Sequence, residues 1–143
     1  MTVTSDELPG VREIRQFLPD FRADGLHRWR SLHLSCQPSG KNQLVVLTIQ
    51  AEYSDDYVVE IEMAGVSELR LPEMRGWYGF DDYVIEDVRD WQWEGVRYRV
   101  EECENGWRFR CLCWSVSFTK LLLANPDGSE TVLWDAAGTK NNQ

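Results

Sequence analysis

Lysine is scarce in this chain. Only Lys41, Lys120 and Lys140 occur in 143 residues, so positive charge comes mainly from 12 Arg. Histidine is scarcer still, with His27 and His33 alone. A Ser–His–Asp or Cys–His device needs a histidine beside a nucleophile, which leaves little to build one from. No Gly-x-Ser-x-Gly elbow and no His-Glu-x-x-His stretch is present. Neither phosphate-binding glycine fingerprint occurs, so nucleotide-dependent chemistry has no support. No apolar run approaches the ~20 residues of a membrane-spanning helix. Met1 to Glu7 is polar and lacks a basic start and an apolar segment, so no signal peptide is expected and the reading is cytoplasmic. Four Cys in such a compartment are expected to stay reduced.

What is present points to one β-rich domain over residues 1–143, with a polar tail fraying over 136–143. A chain of this length can bury roughly two thirds of its unfolded surface, enough for a core without staples. Val11, Ile14 and Leu18 recur at helical spacing within Pro9–Leu18; Ser5 or Asp6 could cap that helix and Pro19 would stop it. Strand patterns follow. Leu32, Leu34 and Cys36 alternate with His33 and Ser35, up to a turn expected at Gln37-Pro38-Ser39-Gly40. Val45, Leu47, Ile49 and Ala51 alternate with polar residues, turn at Ser54-Asp55-Asp56, and return as Tyr57, Val59, Ile61 and Met63. Leu69 and Leu71 make a short strand ended by Pro72, Pro72 to Asp82 reads as a loop, and Tyr83 to Val88 as another strand.

Asn105-Gly106 is the favoured pair for a two-residue type I′ turn. It sets Glu102 opposite Phe109, Val100 opposite Cys111 and Tyr98 opposite Cys113 on one face, with Glu101 opposite Arg110 on the other. Past Cys113 the apolar phase shifts to Trp114, Val116 and Phe118, as a bulge or a strand buried on both faces would produce. A last hairpin turns at Asn125-Pro126-Asp127-Gly128. Short links exclude parallel crossovers. The expected fold is mainly β, or α+β: an antiparallel, hairpin-rich sheet or sandwich of seven to nine strands with a short N-terminal helix.

Charge is uneven. Between Glu52 and Glu104 there are 16 Asp/Glu against 5 Arg and no Lys, a block of −11 within a net −9 chain. That block repels phosphate, which disfavours nucleic acid and anionic membrane as partners. It suits a basic protein partner. Seven Trp are many for this length; Trp29, Trp107, Trp114 and Trp134 are expected in the core. Trp77 and Tyr78 in a loop, and Trp91 and Trp93 two apart, are the candidates for an exposed patch. With Asp81, Asp82, Glu86, Asp90 and Glu94 they form the candidate partner-binding face, aromatic anchors within an acidic rim.

The stretch Tyr83-Val-Ile-Glu-Asp-Val-Arg-Asp-Trp-Gln-Trp-Glu-Gly-Val-Arg-Tyr-Arg-Val-Glu-Glu102, then Asn105-Gly106 and Trp107-Arg-Phe-Arg-Cys111, resembles a pattern in small bacterial β-rich proteins. Some of these resemble immunity proteins of polymorphic toxin systems. The resemblance implies a protein that binds and blocks a partner toxin; it assigns no individual residue.

The leading reading is therefore a non-enzymatic protein-binding module of immunity type, with no cofactor. The alternative is a small-ligand or sugar-binding β-domain using the same Trp set. A third reading draws a zinc site from His33, Cys36, Cys111 and Cys113, or uses the acidic run for catalysis. Against zinc, Cys111 and Cys113 fall on the apolar face, where Cys packs as a small hydrophobe, and no paired Cys knuckles occur. Strand edges could also pair with a second copy.

Overall fold

The computed structural model describes residues 8–71, 83–102 and 109–138. The strands are β1 (Trp29–Ser39), β2 (Asn42–Glu52), β3 (Tyr57–Ala64), β4 (Ser67–Arg70), β5 (Tyr83–Asp87), β6 (Tyr98–Glu102), β7 (Arg110–Cys113), β8 (Ser115–Ala124) and β9 (Glu130–Asp135). All described pairings are antiparallel. They form a five-stranded sheet, β1-β2-β3-β8-β9, and a four-stranded sheet, β4-β7-β6-β5. The architecture is the mainly β, two-sheet arrangement that the alternation and turn spacing imply. No helix among the described residues is long and apolar enough to cross a membrane.

Both sheets share one core. Leu47, Ile49, Val59, Ile61, Met63, Val116 and Phe118 of the larger sheet meet Ile85, Val100, Cys111 and Cys113 of the smaller. The Cys111 Sγ lies 3.6 Å from Met63 Sδ across the two layers. Each fully buried aliphatic side chain contributes about 1.5–3 kcal/mol over its exposed state, so this set outweighs any surface ion pair.

Chain order explains the phase shift after Cys113. β7 belongs to the small sheet and β8 to the large one, so the chain changes layer at Trp114. The Trp114 N–H donates to Ala64 O at 2.9 Å, and its side chain turns outward, 56 % exposed. Its expected core position is thus corrected: the crossing residue belongs to neither inner face. Gly65, at φ +70°, allows this approach, because a Cβ there would lie 2.9 Å from Trp114 Cβ. Trp29 and Trp134 pack half-buried against the core, as expected, and Trp107 lies outside the described residues.

The N-terminal segment closes the core's open side. Helix α1 spans only Val11–Arg15 and buries Val11 and Ile14. Its N-cap is Gly10 at φ +92°, with no side-chain cap; the expected caps Ser5 and Asp6 lie outside the described residues. Glycine is required there by contact as well as by φ. A Cβ on Gly10 would sit 1.9 Å from Phe118 O. The Phe118 N–H donates to Pro9 O at 2.8 Å, and Phe21 packs edge-on against Phe118 at 5.6 Å. This docking occurs where β8 bulges between Phe118 and Lys120, which frees the Phe118 N–H from the ladder. The buried Tyr83 hydroxyl donates to Ala23 O, tying β5 to the same segment. Burial pushes the Tyr83 phenol well above its ordinary pKa, and the Asp24 charge adds to the rise.

Two expectations for β1 are corrected. Pairing continues to Ser39↔Asn42, so the turn is Gly40-Lys41 rather than Gln37 to Gly40. Gly40 at φ +61° followed by a residue of ordinary φ fits a II′ hairpin turn. Leu34 and Cys36 carry the right alternation for the core face, yet both are exposed, because β1 is an edge that the smaller sheet does not cover.

Candidate functional site

The β5–β6 connection carries the exposed part of the candidate face. β5 and β6 pair from Tyr83↔Glu102 to Asp87↔Tyr98, and Val88 N–H donates to Arg97 O at 2.8 Å. The chain then leaves the sheet as a knuckle. Val88, 2 % exposed, anchors its base, and Arg89–Trp91 forms one 3-10 turn. The Asp87 carboxylate accepts from the Arg89 N–H at 3.0 Å and starts that turn. Gln92 at φ +58° and Gly95 at φ +76° reverse the chain. Val96 N–H donates to Trp93 O at 3.2 Å and closes it.

Trp91 and Trp93 were expected to share a strand face. They come together instead because the left-handed Gln92 folds one tryptophan back on the other. Their ring centroids lie 5.0 Å apart at 59°, and they remain 39 % and 52 % exposed. Asp90 and Glu94 flank the pair and are exposed, and neither has an ion-pair partner among the described residues.

The neighbouring charges behave differently. On the outer face of the small sheet, Arg99 Nη2 lies 2.8 Å from Glu86 Oε1, and Arg99 Nη1 3.1 Å from Glu101. Arg110 Nε is 3.5 Å from Glu101, the cross-strand pair read from the hairpin register. Asp87 holds Arg89 at 3.0 Å and Arg97 at 3.7 Å. Burial alone would raise the Asp87 pKa; the Arg89 N–H and the Arg89 and Arg97 guanidiniums outweigh it and hold the carboxyl below its ordinary value. Glu86 therefore sits in a neutralised lattice beneath the knuckle rather than in an acidic rim. Trp77, Tyr78, Asp81 and Asp82 lie outside the described residues.

The other sites drawn from the sequence separate in space. His33 and Cys36 are exposed on β1, whereas Cys111 and Cys113 are fully buried. Among the described residues no group of three or more His, Cys, Asp or Glu is placed to hold a metal ion. The Cys113 thiol is raised above its usual pKa by its hydrogen bond with Cys111, by burial and by the Cys111 charge, the setting of packed thiols and not of reactive ones.

Two features were not read from the sequence. Glu52 gathers Arg28 and Arg30, each at 2.9 Å, and Arg30 also reaches Glu130 at 4.0 Å. Burial would raise the Glu52 pKa, but the two guanidiniums hold it below the ordinary carboxylate value. The Arg-rich N-terminal stretch was the signal for this cluster; its acidic partner is more than twenty residues away in sequence. The second is an open cleft of about 380 Å³ lined by Arg22, Asp24, Gly25, His27, Tyr53 and Ser54. It contains none of the tryptophans on which a sugar-binding reading relies.

No curated protein and no solved structure matches the chain. A protein family does. Residues 13–117, more than half of the chain, match immunity protein PIM8, and the matched region takes in both described edges of the small sheet and the whole β5–β6 knuckle. The chain belongs to the immunity protein PIM8 family and is an immunity-type protein module.

Proposed function

We propose that this chain is a cytoplasmic, non-enzymatic immunity protein that binds a toxin protein and blocks it, presenting the β5–β6 knuckle to a basic surface of that toxin. The observation that carries the reading is the exposed Trp91–Trp93 pair flanked by two exposed carboxylates, Asp90 and Glu94, with no ion-pair partner among the described residues. Large rigid aromatics held on a closed turn lose little entropy on binding, and such residues dominate interface energies. Lys or Arg of the partner can lie over an indole face while pairing with the adjacent carboxylate. Trp77, Tyr78, Asp81 and Asp82 precede the same strand in sequence and lie outside the described residues.

A sugar platform fits this pair less well. Two indoles tilted at 59° and 5.0 Å apart already use part of each other's surface, so no flat shared plane is left for a sugar ring. The test is affinity capture from lysate of the source cells, with the native chain and with Trp91→Ala and Asp90→Lys variants in parallel. The reading expects one dominant protein partner, weakened by both substitutions and by added salt. No partner, or a partner held equally by all three baits, would count against this face.

A further inference from the structure

The backbone of β1 offers an unpaired edge with defined limits. In a two-residue hairpin the residues flanking the turn, here Ser39 and Asn42, form a hydrogen-bonded pair, and such pairs recur at every second residue. The even-numbered residues of β2 therefore bond to β1. Two contacts fix this parity independently: Glu52 N–H donates to Arg28 O, whereas Val45 O, at an odd position, accepts from Val66 on the opposite side of β2. On β1 it follows that Ser31, His33, Ser35, Gln37 and Ser39 bond inward to β2. The N–H and C=O groups of Leu32, Leu34 and Cys36 point out of the sheet edge. No described residue pairs with them.

Natural edges are usually blocked by charge, proline or bulges. Here the blocks stand only at the two ends. The register shifts between Trp29 and Ser31, and Pro38, whose nitrogen carries no hydrogen, faces outward at the other end. From Ser31 to Gln37 there is no charged residue. The window is centred on Leu34, which is 47 % exposed, and Cys36 beside it is exposed.

We propose that this window pairs with the same window of a second copy, antiparallel about a two-fold axis through Leu34, joining two five-stranded sheets into one. The pairing is self-complementary. Leu34 meets Leu34 of the other copy, and Leu32 meets Cys36 in both directions, all on the core-side face. Charge selects this occupant. The window carries no carboxylate to attract a basic strand, and the nearby Arg28 and Arg30 are already paired with Glu52, so an acidic strand gains nothing. An uncharged copy of the window fits. This surface lies on the other sheet from the knuckle and does not depend on the toxin-binding reading.

Sedimentation velocity of the purified full chain tests it, across concentration and salt. The native chain is expected to dimerise, and more tightly as salt rises, because two molecules of net charge −9 repel and salt screens that repulsion. Binding of a basic protein at the knuckle would weaken with salt, so the two surfaces give opposite slopes. Leu34→Lys places like charges together on the two-fold axis and is expected to weaken the dimer about a hundredfold or more, with circular dichroism unchanged. Should that variant misfold, Leu34→Cys in a Cys36→Ser background gives the second readout. Mild oxidation is expected to link residue 34 to residue 34 of the other copy, located by peptide mapping. A chain that stays monomeric at every concentration, a dimer indifferent to Leu34→Lys in folded protein, or a failed 34–34 link overturns the proposal. A monomeric chain whose captured partner is lost on Leu34→Lys also overturns it and gives the edge to that partner.

Discussion

Gly10→Ala should destabilise this protein far more than the same change at a glycine of equal backbone conformation. Gly10 and Gly128 have nearly the same φ, +92° and +90°. At either, an L side chain adds a left-handed strain of about 1–2 kcal/mol. At Gly128 nothing lies within 4 Å of the added Cβ, so that strain is the whole cost. At Gly10 the Cβ would stand 1.9 Å from Phe118 O, far inside contact, and the obstacle is backbone in a sheet rather than a side chain that can swing away. The segment must retreat by more than 1 Å. The Phe118 N–H to Pro9 O bond then breaks, about 0.5–1.5 kcal/mol. Val11 and Ile14, fully buried just downstream, lose part of their packing. Together the Gly10 variant should lose about 3–5 kcal/mol against about 1–2 for Gly128→Ala. Urea unfolding of the two variants and the native chain measures both, with m-values checking that the transition stays two-state. Equal losses at the two sites would refute the close docking of the N-terminal segment on β8.

Trp93→Ala and Trp91→Ala should each change stability by no more than about 1.5 kcal/mol, the worth of their mutual contact, while weakening partner binding about 30-fold or more; equal effects on melting and binding would mean the knuckle is structural. Glu52 has its folded pKa below the unfolded value, so the stability it brings is present above the ordinary carboxylate range and is lost as pH falls through the folded pKa. Glu52→Gln should therefore flatten the decline of melting temperature in acid, and an unchanged slope would contradict the Arg28–Glu52–Arg30 cluster. Brief labelling with a thiol reagent, read by peptide mapping, should modify Cys36 at once and Cys111 and Cys113 only on unfolding; early labelling of Cys111 would contradict the shared core.

The β6–β7 register was fully legible. The Asn105-Gly106 turn and the alternation of Tyr98, Val100 and Glu102 both demand one pairing, and Tyr98↔Cys113, Val100↔Cys111 and Glu101↔Arg110 are what the strands adopt, with Glu102 N–H on Phe109 O. The turn residues themselves lie outside the described residues. β1 shows where such reading stops. Alternation says which side chains share a face; it does not say whether a second sheet extends far enough to cover that face. Leu34 and Cys36 thus read as core and stand at an open edge. Pro38 read as a turn for a related reason, since an outward-facing position on an edge strand is a place a sheet tolerates proline. Trp114 failed because its environment is set by the change of sheet between β7 and β8, and a phase shift in the pattern marks only the place.

The same distinction governs the candidate site. A block of 16 carboxylates against 5 Arg reads as one acidic surface, but the fold pairs many of these groups locally. Glu86, Asp87 and Glu101 are held by Arg89, Arg97, Arg99 and Arg110, Glu60 lies 3.9 Å from Lys120, and Glu52 holds Arg28 and Arg30. Fixed pairs present little field to a partner. Asp90 and Glu94 differ: they lie on the knuckle outside the strands, exposed, beside two exposed indoles. Among the described residues neither has an ion-pair partner, so a partner docking there can pair them without breaking an ion pair of the described lattice. Composition measures how much acid the chain holds; the knuckle's geometry is what sets two of those carboxylates beside a pair of exposed indoles.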